Sequence, residues 1–527
     1  MIIYPSSVST PASGVALIDF GKDAFARLEL ELTCDCVRNI EVCIGEVFTN
    51  GRLNRAPGDY RCFKSFQLQL RPGRHIYQIE IPPHQAPNPA LPKLYPPKEA
   101  GGEIAPFRYV EITGYEGEII ARQMAVFAPF NDQAASFKCS DERLNRIWEF
   151  CKYSIKATSA FGMYIDGERE RLPYEGDAYI NQLGHFCCDC DYSMARRTID
   201  YLFKYPTWPT EWSLIMIPVV FEYYLYSDDI ESFEGWKPRL CEKLCLDRIG
   251  DDGLLLNNGK DIVDWPAGER DGYELGKINL VPNCYLYHAL TLLGENEKAA
   301  LLKNNIRQKF FRNGLFIDST DSRHNSLHGN MFAVRFGIAE PAEYPLILKF
   351  IRSKGMSCSV YGAQFLLEAC YQGGAVDYAL ELMTSGGLRS WMNMLKCGST
   401  ITMEAWDDSF KPNQDWNHAW GAAPANIIPR ELFGIKPLKP GFEVFQFKPQ
   451  MGSLQSAQLR HPTPHGPIEI EMNRKEIRLS LPGGTVAQVE LPGQPVQMKT
   501  HSEVFEWNIK SSVRKGRVDK SCVCAEY

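Results

Sequence analysis

The densest group of ionisable side chains lies in the segment 166–177, which reads Asp-Gly-Glu-Arg-Glu-Arg-Leu-Pro-Tyr-Glu-Gly-Asp. Five acids and two arginines share these twelve residues, and apolar or aromatic stretches flank them on both sides. Pro173 and Gly176 disfavour a regular helix, so we expect a loop. An arginine beside an acid permits the shifted pKa values that acid and base catalysis needs. On composition alone, a solvated charged loop is the plainer interpretation.

A second candidate acid, Glu404, lies in the segment 398–408 among apolar residues and directly before Ala405 and Trp406. These neighbours predict that Glu404 is buried, although a lone acid of this kind is more commonly a helix cap or an ion-pair member. His418 follows within a short aromatic stretch. A histidine between aromatic residues is more commonly part of the core, and the alternative is a histidine with a role in catalysis or binding.

A third candidate segment, 261–273, combines acids, glycines and a tryptophan in one predicted loop. Asp264 and Trp265 suit sugar binding, because a sugar ring presents hydroxyls to carboxylates and an apolar face to an aromatic ring. Arg270 in the same loop is a candidate clamp for a carboxylate on a ligand. An ion-paired structural loop fits the same composition.

Two carboxyl groups from distant segments, brought to one rim of a helical domain, suit glycoside hydrolysis. One acid protonates the leaving oxygen, and the other activates water from the opposite face of the sugar, which needs a gap of roughly 6.5–9.5 Å. A gap of about 5–5.5 Å would instead indicate a covalent intermediate. The sequence leaves that choice open.

Other chemistries find little support in the sequence. The chain has no GxGxxG, GxxxxGK[ST] or GxSxG motif, which argues against nucleotide-dependent enzymes and serine hydrolases. Cys187, Cys188 and Cys190 form a cluster, but no second cluster has the spacing of a zinc site. We therefore expect no metal and no organic cofactor.

The secondary structure predicted to position these residues changes twice along the chain, from strands to helices and back to strands. Alternation in Leu28–Leu32 and Phe66–Leu70 predicts strands up to about residue 135. Helical spacing then begins after Ser140, a predicted helix cap, and short helices continue to about residue 435. Short alternating segments between Phe442 and Ile509 predict strands again.

These patterns predict an α/α toroid between two β-sandwiches. We place an N-terminal β-sandwich at 1–135, a helical domain at 136–435 and a small C-terminal β-sandwich at 436–527.

Composition narrows the class of protein. The 527 residues carry a formal net charge of −7, so the basic surplus of a nucleic-acid-binding protein is missing. The 17 scattered cysteines and the lack of a visible signal peptide favour a cytoplasmic protein, although a removed leader is compatible with the sequence. The strongest apolar stretch, 214–226, contains Pro218 and Glu222 and is too short to span a membrane. The sequence leaves homo-oligomerisation open.

At these residues the chain resembles the α-L-rhamnosidases of glycoside hydrolase family 78, within the six-hairpin glycosidases. The segment 169–177 is similar to the family's general-acid motif, an acid-Arg pair followed by an aromatic residue and then Gly-Asp, with Tyr174 where the family often has Trp. The segment 398–407 resembles the family's Gly-Ala-Thr-Thr-x-x-Glu-x-Trp-Asp without gaps, and Asn417-His418 matches its Asn-His pair. The likeness extends from about residue 105 to 450.

The resemblance implies a fold, an activity and a set of site residues. The fold is a catalytic (α/α)6 barrel between the two β-sandwiches. The activity is an inverting exo-hydrolysis that releases terminal α-L-rhamnose from an oligosaccharide or glycoside, with Glu170 as general acid and Glu404 as general base. The residues expected to bind the sugar are Asp166, Arg171, Tyr174, Asp177, Trp212, Asp264, Trp265, Arg270, Trp406 and His418.

Two other functions stay open at this point. One is a hydrolase or lyase of the same architecture that acts on another sugar, such as a uronic-acid-containing oligosaccharide. The other is a carbohydrate-binding protein without catalysis.

Overall fold

The computed structural model describes residues 1–58, 60–85 and 91–506. Its N-terminal β region is built around the 20-residue strand β3, which pairs with β2, β8, β9 and β10, all antiparallel. The main sheet has the order β1-β10-β3-β9-β4-β7. Its strands, with the small β5–β6 pair, are β1 (Ile2–Ile3), β2 (Ser7–Ala12), β3 (Val15–Cys34), β4 (Arg38–Gly45), β5 (Phe48–Thr49), β6 (Arg52–Leu53), β7 (Phe63–Leu70), β8 (Gly73–Gln78), β9 (Ala105–Thr113) and β10 (Ile119–Ala125).

The predicted alternation in this region is confirmed. Leu28, Leu30 and Leu32 are buried in β3, whereas Glu29 and Glu31 between them are only partly covered. One face of the sheet therefore carries the core of the β region.

A helical region follows, and it begins with a strand. The strand β11 (Ser136–Cys139) precedes α1, and the short hairpin β12 (Phe311–Arg312) and β13 (Leu315–Phe316) lies midway. The helices are α1 (Glu142–Ala157), α2 (Glu175–Phe186), α3 (Ser193–Lys204), α4 (Thr210–Ser227), α5 (Ile230–Trp236), α6 (Leu280–Leu292), α7 (Asn296–Phe310), α8 (Leu327–Arg335), α9 (Tyr344–Lys354), α10 (Val360–Gln372), α11 (Val376–Met383), α12 (Trp391–Lys396) and α13 (Pro424–Ile427).

The cap of the first helix differs from the prediction. Asp141, and not Ser140, caps α1, because its carboxylate accepts a hydrogen bond from Arg143 N at 2.9 Å. The Ser140 hydroxyl instead accepts from Gln455 N at 2.9 Å, in the C-terminal region. The Ser140 side chain, which the local sequence assigns to the helix cap, is thus bonded to a residue more than 300 positions away.

Alternate helices form the inner layer of the helical region. The helices α2, α4, α6, α8 and α10 contact one another in that order, and α13 contacts both α10 and α2. Every residue of α2 is buried, whereas the outer helices α7 and α9 bury only part of their surface. The loops that precede α2, α4, α6 and α13, with the first turns of α2 and α4, carry the residues that line the candidate site. None of the described helices is long and apolar enough to cross a membrane.

The C-terminal region is again built of strands, and its sheets include a strand from before the helices. The five-stranded sheet has the order β11-β16-β17-β18-β21, and the four-stranded sheet the order β14-β15-β19-β20. The strands are β14 (Ile435–Pro437), β15 (Val444–Phe447), β16 (Ser456–His461), β17 (Ile468–Asn473), β18 (Glu476–Ser480), β19 (Val486–Val489), β20 (Gln497–Lys499) and β21 (Glu503–Glu506).

The described residues thus form a helical region between two β-rich regions. The domain boundaries near 135 and 435 stay a prediction. The part of the predicted last strand and domain at 507–527 lies outside the described residues.

Candidate active site

A cavity of about 190 Å³ opens at one end of the helical region. Most of the predicted site residues line it: Asp166, Glu170, Tyr174, Asp177, Trp212, Trp265, Glu404 and His418. Arg169, Trp208, Pro209, Ile262 and Trp420 complete the lining. Segments far apart in the chain therefore bring acids, a histidine, an arginine and several aromatic rings to one place.

Glu404 is buried on one side of this cavity and is held by positive groups. Its two oxygens lie 2.6 and 2.9 Å from the terminal nitrogens of Arg169, and the Lys411 ammonium lies 3.2 Å away. Asp415 N also donates to it at 3.1 Å. Burial opposes the charged form, but the nearby groups, chiefly His418 and Arg169, hold the pKa of Glu404 below its ordinary value. Glu404 is therefore a carboxylate at neutral pH.

Glu170 faces the same cavity and is more exposed than Glu404. The Tyr174 hydroxyl donates a hydrogen bond to it, and Arg169 Nε lies 3.8 Å from the other carboxyl oxygen. One guanidinium thus stands between the two glutamates, bonded to Glu404 and adjacent to Glu170. The two carboxyl groups occupy different electrostatic surroundings, as a division between acid and base requires.

Asp166 is a buried carboxyl group with one free oxygen. Oδ1 accepts from Leu172 N at 2.9 Å, whereas Oδ2 has no hydrogen-bond partner among the described residues. Burial, together with the carboxyl groups of Asp415 and Glu170, raises the pKa of Asp166 well above its ordinary value. A free buried oxygen on the cavity wall is suited to receive a hydroxyl from a ligand.

Asp177 and His418 form a second polar pair on the wall. His418 Nε2 lies 2.6 Å from Asp177 Oδ1, and the imidazole packs on Trp420 with ring centroids 4.8 Å apart. Burial raises the pKa of Asp177 above its ordinary value, although His418 offsets part of that effect. The pair is buried and hydrogen-bonded, so it can orient a ligand hydroxyl.

Aromatic rings form the remaining wall. Trp212 packs edge-on against Tyr174, and its indole N–H has no partner among the described residues. Trp265 is 39% exposed and Trp208 is 54% exposed at the mouth of the cavity. The wall can therefore cover the apolar face of a ring while the floor binds its hydroxyls.

Four of the predicted binding residues lie elsewhere. Arg171 turns away from the cavity, because its guanidinium binds Glu168 and Glu103. Trp406 is fully buried, and its indole N–H donates to Cys358 O at 2.8 Å. Each of these side chains is satisfied by a partner far from it in sequence.

The other two belong to the loop before α6. Asp264 is fully buried and accepts from His328 Nε2 and Ser359 N at 2.7 and 2.9 Å. Arg270 Nε donates to Asp264 O at 2.9 Å, outside the cavity lining. Asp264 thus holds the loop that presents Trp265.

Several residues that shape the site were not predicted from the sequence. Arg169 lies within the acid-rich segment, directly next to Glu170, and was a visible candidate. Lys411, Asp415 and Trp208 carried no local signal. Their placement depends on loops that fold against distant partners.

Glu404, Asp415 and His418 are the one described trio whose ligand atoms lie close enough to hold a metal, all within 4.8 Å. Arg169 and Lys411 already face Glu404, so a bound cation would meet two fixed positive charges. The donor set is therefore poorly suited to a metal.

The chain matches two family models. Residues 132–432 match the bacterial alpha-L-rhamnosidase 6-hairpin glycosidase domain, and residues 434–506 match the bacterial alpha-L-rhamnosidase C-terminal domain. No curated protein matches the chain.

Solved structures with a similar fold include bacterial rhamnosidases. The enzyme from Dictyoglumus thermophilum is 18% identical, with a TM-score of 0.76 over 96% of this chain and 62% of that chain. The Streptomyces avermitilis enzyme complexed with L-rhamnose is 17% identical, with a TM-score of 0.76 over 96% and 52%. The GH78 family rhamnosidase of Bacillus sp. GL1 is 19% identical, with a TM-score of 0.70 over 91% and 53%. This chain thus spans between about half and six-tenths of the length of each.

Proposed function

The chain belongs to the bacterial α-L-rhamnosidase six-hairpin glycosidase family, and we propose that it is an inverting exo-glycosidase that releases terminal α-L-rhamnose. The observation that carries this proposal is the pair Glu170 and Glu404 on one cavity, with Glu404 held ionised by Arg169. The contacts of α2, α4, α6, α8, α10 and α13 support a closed (α/α)6 barrel around the site.

In this mechanism Glu170 is the acid. It gives its proton to the glycosidic oxygen as the bond to the anomeric carbon breaks, and the aglycone leaves as the alcohol. Glu404 is the base, and it takes a proton from a water molecule that attacks the anomeric carbon from the other face. The guanidinium of Arg169 between the carboxyl groups supports a separation that admits this water.

The cavity lining supports a deoxy sugar as the bound unit. Asp166, Asp177 and His418 offer acceptors and a donor to the ring hydroxyls. Trp212 and Trp265 offer apolar surface to the ring face and to the methyl group that rhamnose carries in place of a hydroxymethyl group.

A panel of aryl glycosides tests the proposal. We expect hydrolysis of the aryl α-L-rhamnoside and little of the glucoside, galactoside or glucuronide. Proton NMR of the first-formed sugar should show the β anomer, since inversion reverses the anomeric centre. First formation of the α anomer would overturn the inverting mechanism, and preferred cleavage of a uronide would overturn the substrate.

A further inference from the structure

The side chain of Asn417 joins three segments of the protein. Its Oδ1 accepts a hydrogen bond from Glu168 N at 2.7 Å, two residues before Glu170. Its Nδ2 donates to Glu46 Oε1 at 2.8 Å, and Glu46 directly follows strand β4 of the N-terminal β region. Asn417 also directly precedes His418 on the cavity wall. The buried Asn417 amide thus connects the β region to the loop that carries Glu170 and to the loop that carries Glu404 and His418.

Glu46 is itself firmly held at this junction. Its second carboxyl oxygen accepts from Cys62 N at 2.5 Å, and the Asp23 carboxyl lies beside it. Burial and the neighbouring Asp23 raise the pKa of Glu46 well above its ordinary value. Burying a carboxyl group is costly unless its hydrogen bonds are made, so the position of Glu46 is fixed by its partners.

The same β region contacts the same loop at further points. Glu103 binds Arg171 at 2.7 Å, and the Tyr60 ring lies 5.4 Å from the Arg169 guanidinium. The segment that carries Glu170 therefore rests on the β region along its length. The Glu46–Asn417 link joins this loop to the segment that carries His418, which Arg61 of the β region also contacts at Asp408 and over the Trp416 ring.

Gly167 shows how closely the two loops approach. A Cβ atom at this position would lie 2.9 Å from Asp415 Oδ2 and 3.0 Å from Asn417 O, and its φ of +150° is one that other residues rarely adopt. The loops are packed without spare room. A change in the hydrogen bonds of Asn417 must therefore move one loop against the other.

We propose that Glu46 is a positioning residue for the reaction, which sets the separation of the Glu170 and Glu404 loops through the side chain of Asn417. This inference rests on the proposed function. Glu46 is not one of the residues that line the cavity. Its effect is on geometry, and a displacement of about 1 Å at reacting groups costs up to roughly 100-fold in rate.

A swap of donor and acceptor tests the link. Asn417→Asp replaces the Nδ2 donor with an acceptor, so at a pH where Glu46 is ionised two carboxylates face each other. There we expect kcat on an aryl α-L-rhamnoside to fall about 10- to 100-fold with KM changed less than about threefold. Glu46→Gln with Asn417→Asp restores one donor and one acceptor between the two positions. We expect the double variant to recover at least about tenfold of the lost kcat.

Glu41→Gln is the matched control, because Glu41 lies on β4 of the same region and pairs with Arg55 on its surface. We expect wild-type kcat for this control. If the double variant is no more active than Asn417→Asp alone, or if kcat follows the melting temperature across the set, the inference is overturned. Glu46→Asp, which withdraws the carboxylate by one methylene, replaces Glu46→Gln if the latter fails to fold, and wild-type kcat there overturns the inference as well.

Hydrogen exchange separates this inference from the proposed function. If the wild type cleaves no rhamnoside, the proposed function fails, and the link is then measured by amide protection in the peptides that cover residues 166–171. Protection lost in Asn417→Asp and regained in the double variant supports the link. Equal protection in all variants overturns it.

Discussion

Arg169 and Glu404 form a bidentate ion pair, in which each terminal guanidinium nitrogen lies within 2.9 Å of one carboxylate oxygen. Arg169 lies next to Glu170 in the chain, so the residue that fixes the proposed base is covalently attached to the proposed acid. A shift of the loop that carries Glu170 therefore also disturbs Glu404. Glu170 and Glu404 are thus mechanically coupled, although 233 residues lie between them in the sequence.

Glu404→Gln should abolish most of the activity, because the amide cannot take a proton from water. We expect kcat to fall about 10²- to 10⁴-fold on every rhamnoside tested, with the far-UV circular dichroism unchanged. Turnover near that of the wild type would show that the base is another residue. Glu41→Gln again serves as the control.

Glu170→Gln should have an effect that depends on the leaving group. An activated nitrophenolate leaves without protonation, whereas an alkyl or sugar alcohol needs the acid. We therefore expect a loss of about 10²-fold or more on an alkyl rhamnoside and a much smaller loss on a dinitrophenyl rhamnoside. Equal losses on both substrates would argue against Glu170 as the acid.

Lys411→Met should move the acidic limb of the pH profile. Lys411 is one of the positive groups that lower the pKa of Glu404, so its removal raises that pKa. Because Glu404 must be ionised to act as base, the acidic limb of kcat/KM should shift to higher pH. Lys396→Met, at an exposed lysine, should leave the limb in place. A shift to lower pH would contradict the assignment.

Trp265→Ala should weaken sugar binding more than catalysis. The ring is 39% exposed at the mouth of the cavity, so its removal should disturb packing little. We expect the Kd for L-rhamnose, measured by calorimetry, to rise roughly 3- to 10-fold. Tyr95→Ala is the control, since that ring is 73% exposed and lies outside the cavity lining. An unchanged Kd would exclude Trp265 from the binding site.

His461 should make the protein acid-sensitive. Its ring is fully buried against Phe442, and burial lowers its pKa from 6.5 to about 3. The unfolded chain binds a proton below pH 6.5 and the folded chain does not until about pH 3, so folded stability falls across that window by about 1.4 kcal/mol per pH unit.

The variant His461→Phe keeps a ring of similar shape without the titration. We expect its melting temperature to fall less than that of the wild type between pH 7 and pH 4.5. His501→Phe, at an exposed ring, should behave as the wild type. The same pH response in His461→Phe and wild type would contradict the prediction.

Periodicity along the chain predicted much of the fold, because burial of one face dictates it locally. Leu28–Leu32 shows this for a strand, and α1 begins where helical spacing was recognised after Ser140. Residue composition and the resemblance to the rhamnosidases indicated which segments meet at the cavity. None of these sequence signals predicted where each side chain points within its loop.

Long-range partners decide those directions. Arg171 lies in the acid-rich segment, yet Glu103 and Ile104 O, more than 60 residues away, draw it from the cavity. Trp406 stands two residues from Glu404 and instead bonds to Cys358 O. Such partners can be identified only once the loops have been placed in three dimensions.

The pairing of β11 with β16 has a consequence for synthesis on the ribosome. The strand Ser136–Cys139 emerges before the helices, but its partner Ser456–His461 is translated more than 300 residues later. At about 5–20 residues per second, the nascent chain waits on the order of 15–60 s with this strand unpaired. During that interval both edges of the strand are open to pairing with other chains. Prompt folding of the N-terminal β region before it and of the helices after it therefore protects the growing polypeptide from aggregation.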